Sequence, residues 1–172
     1  MMNAFQLKHF AVTKLHVDWH EPKSQGPMNV AHIASAFGLE VLVDREDPRE
    51  FKIEFGGRFR QLAANDELLG FEVEIRITGF ADVGEVVPED KLNDFVHANA
   101  ANTLYGTSRG LIASATGIFP SGPLILPSIS AKEILASIHA QGAKTATKDR
   151  PKGQSVARRK VLPAAAPATG RK

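Results

Sequence analysis

Gly106-Thr107-Ser108-Arg109-Gly110 spells G-x-S-x-G, the pattern of a nucleophile elbow. The chemistry would be acyl transfer through Ser108, a serine esterase, and it needs a buried strand before the serine and a helix after it. The residues before it, NDFVHANAANTLY, read as helix instead. The order of partners fails as well. Asp149 is the only aspartate beyond Ser108 and it lies past His139, while Glu133 and His139 share one short helix. Outside its structural context the motif carries no catalytic meaning, and Ser108 is expected as a small side chain in close packing.

A second constellation is His16, Asp18 and His20, alternating on one strand so that imidazole and carboxylate share a face. Such spacing can approach a metal, but it is equally the polar face of an edge strand, and no metal site is expected. Gly56-Gly57 lacks the lysine and the strand-to-helix setting of a phosphate loop and reads as a bend or bulge. No cofactor site emerges. The chain has no cysteine, which removes thiolate ligands, disulfides and a cysteine nucleophile and fits a reducing cytoplasm.

The elements that would position these residues follow from period. Phe5 and Leu7 share one phase, Phe10 and Val12 the other, and Leu15, Val17 and Trp19 return to the first. Since a one-residue shift changes a side chain's face, two phase changes predict bulges in one long strand. Leu39, Val41 and Val43 alternate, and so do Phe51, Ile53, Phe55 and Phe59, with a hairpin turn at Asp47-Pro48. Phe71, Val73, Ile75 and Ile77 repeat the pattern against Glu72, Glu74 and Arg76. Residues 22–36 read as mixed, with a loop at Gly26-Pro27. An antiparallel sheet covered on one face is the expected result.

After Phe80 the period becomes helical. Pro88, Glu89 and Asp90 mark a helix start, and a second helix is expected from Asn99 or Asn102 to Gly117 as its C′ residue. Three prolines between Pro120 and Pro127 exclude helix there. Ser130 through Glu133 is a capping box that opens a last helix.

The 172 residues make one domain, 1–142, and a tail, 143–172. The tail has nine Lys/Arg and one acid, Asp149, a balance of +8, so the net +2 leaves the domain at −6. A basic pI is therefore no nucleic-acid footprint of the domain, and the Ala/Pro/Lys/Arg-rich tail is expected to be disordered. The opening MMNAFQLKHF lacks a cationic stretch before a sustained apolar run, so no signal peptide is expected, and no segment suits membrane insertion.

With these residues in view, roughly 5–140 resembles the SecB family of export chaperones. Leu104-Tyr105-Gly106-Thr107-Ser108-Arg109 stands for the family's Leu-Phe-Pro-Tyr-Ala-Arg-like helix, Gly117-Ile118-Phe119-Pro120 for its Gly-Phe-Pro, and Leu126-Pro127-Ser128-Ile129-Ser130 for the segment that follows. Gly106, Thr107 and Ala131 depart from the family's Pro, Tyr and Phe. The resemblance implies an α+β fold, a four-stranded antiparallel sheet with helices on one face, assembling as a homotetramer, a dimer of dimers.

It also implies an ATP-independent holdase that keeps unfolded client polypeptides in apolar grooves, for export or translocation. The groove residues would be Trp19, Phe80, Ile118, Phe119, Leu124, Ile125 and Leu126, for each of which burial in the core or a subunit interface stands as the alternative role. The acidic positions that would dock the SecA translocation motor fall on Asp18 and Glu74, and a third falls on Lys14. A SecB-like module serving one specific partner, as in toxin–antitoxin-associated chaperones, is the second reading.

Overall fold

The computed structural model describes residues 4–21 and 32–148, of which 141–148 are described by their backbone only. Four strands come first, β1 (Phe5–His20), β2 (His32–Val43), β3 (Glu50–Leu62) and β4 (Leu68–Val83), followed by α1 (Glu89–Thr116) and α2 (Ala131–Lys148). The strands form one antiparallel sheet in the order β1-β4-β3-β2, with both helices on one face.

Strict alternation in β3 and β4 sets the two faces. Ile53, Phe55 and Phe59 lie on the helix side with Val73, Ile75 and Ile77, in a register that places Phe55 opposite Ile77 and Phe59 opposite Val73. The intervening residues face outward and pair across strands, Arg58 with Glu72 at 3.0 Å and Lys14 with Glu74 at 2.7 Å. Lys8 reaches both Glu50 and Asp82 at 2.8 Å, and these partners hold its ammonium pKa far above the ordinary lysine value. Exposed pairs of this kind add little stability singly; they fix register on a face that burial does not.

The two predicted irregularities of β1 are present as register shifts between Leu7 and His9 and between Val12 and Lys14. Residues directly opposite each other share a face. Phe5, Leu7, Phe10, Val12, Leu15, Val17 and Trp19 all oppose odd-numbered residues of β4 from Val83 to Phe71 and therefore all face the helix side. Each bulge absorbs one extra residue so that the apolar phase survives. The first releases Lys8 toward Glu50, and the second lets the Thr13 hydroxyl donate to the Arg76 carbonyl at 3.3 Å.

Two hairpins close as turn chemistry requires. The Asp44 and Asp47 carboxylates accept from the Glu46 and Arg49 amides at 2.7 and 2.8 Å. Asp66 takes a positive φ of 61° in the second turn, a conformation that Asp tolerates better than most residues. β2 starts at His32, earlier than the alternation at Leu39 predicts, because Ser35 interrupts the helix-side row of Ile33, Phe37 and Leu39, and Ala34 and Ala36 blur the outer face.

The helical part corrects the sequence reading in two places. Glu89–Thr116 is one continuous helix rather than two, buried through Val96, Ala100, Leu104, Ser108 and Ile112. Its small residues weaken the apolar period without breaking the helix. Gly117 caps it in a right-handed conformation, φ −63°, its amide donating to the Ala113 carbonyl. The backbone of α2 runs on to Lys148, past Ala143 where the tail was expected to begin; the rest of that tail, 149–172, and the loop at Gly26-Pro27 lie outside the described residues.

The capping box of α2 is formed. Glu133 Oε2 accepts from the Ser130 amide at 2.8 Å and from its hydroxyl at 2.6 Å, and the Ser130 oxygen accepts from the Glu133 amide at 3.3 Å. Among the described residues no helix is long and apolar enough to cross a membrane.

Candidate functional site

Ser108 lies in the middle of α1, buried, its hydroxyl donating to the Leu104 carbonyl at 2.8 Å. That is a helix back-bond rather than an elbow, and the residues leading into it are those of α1, not a strand. Glu133 is occupied in the capping box, where its bonds to Ser130 lower its pKa. The esterase reading falls on this geometry.

His16 Nε2 and Asp18 Oδ2 pair at 2.8 Å on the sheet face turned away from the helices. His20 follows in the same phase, its Nε2 buried with no hydrogen-bond partner among the described residues. Among the described residues no group of three or more His, Cys, Asp or Glu side chains has the geometry to hold a metal. On the same open face Glu74 faces two cations, Lys14 at 2.7 Å and Arg76 at 3.4 Å. These partners, Lys14 first, lower its pKa. Asp18 and Glu74 thus share a face, and both already hold groups of their own chain.

The crossover between the helices is held from α1 by three side chains. The Tyr105 hydroxyl donates to the Pro127 carbonyl at 2.7 Å and Arg109 Nε to the Leu126 carbonyl at 3.1 Å. Thr116 is the third: it donates to the Ile112 carbonyl at 2.7 Å and accepts the Leu124 amide at 2.8 Å. An extended segment supplies none of its own backbone partners, so these contacts make it a defined strap. Burial raises the Tyr105 phenol pKa, and the Arg109 charge opposes that rise.

The strap sorts its apolar residues by alternation. Leu124 and Leu126 point inward and are buried with the core, while Ile125 between them is 62% exposed and Ile118 is 85% exposed. Phe119 lies across the end of the sheet, its ring 5.2 Å edge-on from Phe71 and 6.3 Å from Trp19; Trp19 and Phe71 are 4.8 Å apart.

Trp19, Ile118, Phe119 and Ile125 are therefore on the helix side or the strap, whereas Leu124 and Leu126 are buried with the core. Phe80 lies on the opposite face, stacked on His9 at 4.6 Å, because its even position in β4 puts it out of phase with Phe71. The seven residues do not make one groove. Phe71 completes the aromatic cluster and escaped the sequence reading, since only the β1–β4 register brings it opposite Trp19. A row of helix-side residues on β1 also escaped it, Phe10, Val12 and Leu15, between 40% and 44% exposed.

No protein-family model matches the chain, and no curated protein matches it by sequence. Among solved structures, one likeness is to the SecB-like chaperone Rv1957 of Mycobacterium tuberculosis, solved in complex with a ChAD peptide from the Rv1956 HigA1 antitoxin. The TM-score is 0.51 at 17% identity, over 74% of this chain and 91% of that one. A protein of unknown function from Streptococcus agalactiae aligns with a TM-score of 0.42 at 13% identity, over 73% of this chain and 97% of that one. This chain has the SecB-like fold.

Proposed function

We propose that this protein is a SecB-like chaperone, an ATP-independent holdase that binds unfolded polypeptide at the crossover end of the sheet. One observation carries the reading. The strap is pinned by Tyr105, Arg109 and Thr116 yet presents Ile118 and Ile125 to solvent beside the Trp19–Phe71–Phe119 cluster. An extended, apolar and solvent-facing surface is what recognition of unfolded chain requires, because such a chain offers apolar side chains and free backbone groups. Such exposure is costly in a protein that binds nothing.

The assembly we propose is a homotetramer, a dimer of dimers. β1 is a long edge strand with Phe10, Val12 and Leu15 half uncovered on its helix side, a surface suited to a second copy. On α1, Gly106 and Gly110 are one turn apart and exposed, and a Cβ at either would meet no atom within 4 Å. Each costs about 1 kcal/mol of helix propensity relative to Ala, which close approach of another helix would offset.

Delivery for export through a translocation motor, with Asp18 and Glu74 as its docking surface, is the broader form of the proposal. The narrower form, a chaperone serving one partner, is favoured by the ion pairs that already occupy both acids; the neighbour Rv1957 was solved with an antitoxin peptide. A panel of unfolded polypeptides separates them. Binding to many supports the general holdase, and binding to one segment only supports the dedicated module.

A further inference from the structure

The loop that carries Phe119 has a fixed stem and a free tip. Its stem closes where the Leu124 amide donates to Thr116 Oγ1 at 2.8 Å, both residues being buried. Within it, the Phe119 amide donates to the Thr116 carbonyl at 3.1 Å and the Gly122 amide to the Phe119 carbonyl at 2.9 Å. Among the described residues, no hydrogen bond ties 117–123 to the sheet. Among the described residues, the ring contacts of the tip are those of Phe119, which lies against the touching Trp19–Phe71 pair. Gly117 and Gly122 flank it, and Gly122 takes φ +80°, a conformation that side chains disfavour. Ile118, next to the ring, is almost wholly in water.

From this geometry we infer that Phe119 is an internal plug. It fills an aromatic slot formed by Trp19 and Phe71, and a client's aromatic side chain takes that slot by displacing it. The exchange swaps one set of ring contacts for another and breaks no hydrogen bond to the sheet, so the two states lie close in free energy. Differential affinity then shifts the population. The inference rests on the chaperone reading and adds a mechanism to it: the site is self-occluded, selects aromatic residues through competition, and presents Ile118 on the moving tip.

A plug and a wall make opposite predictions. If Phe119 were a wall of the groove, removing its ring would weaken binding; if it is a plug, removing it vacates the slot. The full chain and its Phe119→Ala and Phe119→Leu variants are titrated with two unstructured apolar peptides that differ only in Phe or Leu at one position. Trp19, the only tryptophan in the chain, reports the slot by its emission.

Ring pairs of this geometry carry enough interaction energy that Phe119→Ala should tighten the Phe peptide about tenfold. It should tighten the Leu peptide less, and Phe119→Leu should fall between. In Phe119→Ala, adding the Phe peptide should return Trp19 emission toward that of the peptide-free wild type, because the peptide's ring replaces the missing one. Unchanged or weaker binding of the Phe peptide by Phe119→Ala overturns the plug, as does equal tightening of both peptides. Failure of the wild-type chain to bind any unfolded polypeptide overturns the chaperone reading instead, so the two failures are distinguishable.

Discussion

Thr116 joins the end of α1 to the strap, and Thr116→Val isolates that role. Valine keeps the volume of threonine and replaces the hydroxyl with a methyl. The Ile112 carbonyl loses only a second donor, since the helix still supplies it with the residue 116 amide. The Leu124 amide loses its one partner in a place where both residues are buried. A buried donor left unsatisfied costs about 1–3 kcal/mol, so the substitution should destabilise the domain by about 2 kcal/mol. For a chain of this size that lowers Tm by roughly 4–8 °C.

Tyr105→Phe provides the contrast, because the Pro127 it frees is exposed and water can take the hydroxyl's place. Its cost should stay near 1 kcal/mol, the usual net worth of a hydrogen bond (about 0.5–1.5 kcal/mol). Urea unfolding followed by Trp19 emission at fixed protein concentration measures both variants, and hydrogen exchange at the Leu124 amide locates the first. If Thr116→Val changes stability by less than about 0.5 kcal/mol, within the range of an ordinary surface substitution, and Leu124 keeps its protection, the strap is not anchored as described.

Other expectations concern the site, the helix and the assembly. Ile118→Asp with Ile125→Asp should leave thermal stability unchanged while weakening capture of unfolded polypeptide by tenfold or more, since burying one such side chain is worth about 1.5–3 kcal/mol; calorimetric titration checks it. Wild-type protein should resist labelling by a fluorophosphonate probe, and Ser108→Ala should shift stability by no more than about 1 kcal/mol, the worth of one hydrogen bond. Gly106→Leu should leave the monomer's fold intact and reduce the mass seen by light scattering. Glu133, its pKa lowered by Ser130, adds stability that is present above its unfolded-state pKa and lost as pH falls through the folded one. Ser130→Ala should therefore move the Glu133 titration part of the way up toward ordinary glutamate, read by NMR, and reduce that acid-side loss, the Ser130 amide remaining as a donor.

Much of the sheet is visible in the sequence because one face is buried and the other wet. The two phase changes of β1 are the plainest case, since only bulges keep seven apolar residues on one side. Phe80 was legible in the same terms: its even position in β4 already sets it against the phase of Phe71, so placing it with Trp19 contradicted the alternation. Other features lay beyond local pattern. That Trp19 meets Phe71 depends on a register between strands far apart in sequence, and α1 looked divided because Ala, Asn and Gly blur a helical period. Along the strap, alternation separates Leu124 and Leu126 from Ile125, but which set faces inward is decided by the bonds to Tyr105, Arg109 and Thr116.

The most direct test of the account is size-exclusion chromatography with light scattering of the full chain. It is run alone, with a reduced and permanently unfolded polypeptide, and with the same polypeptide in its native form. The account predicts a tetramer that co-elutes with the unfolded polypeptide and ignores the native one, and that loses this capture on Ile118→Asp with Ile125→Asp. Separate elution of the unfolded polypeptide at micromolar concentrations, or equal capture of its native form, would contradict it.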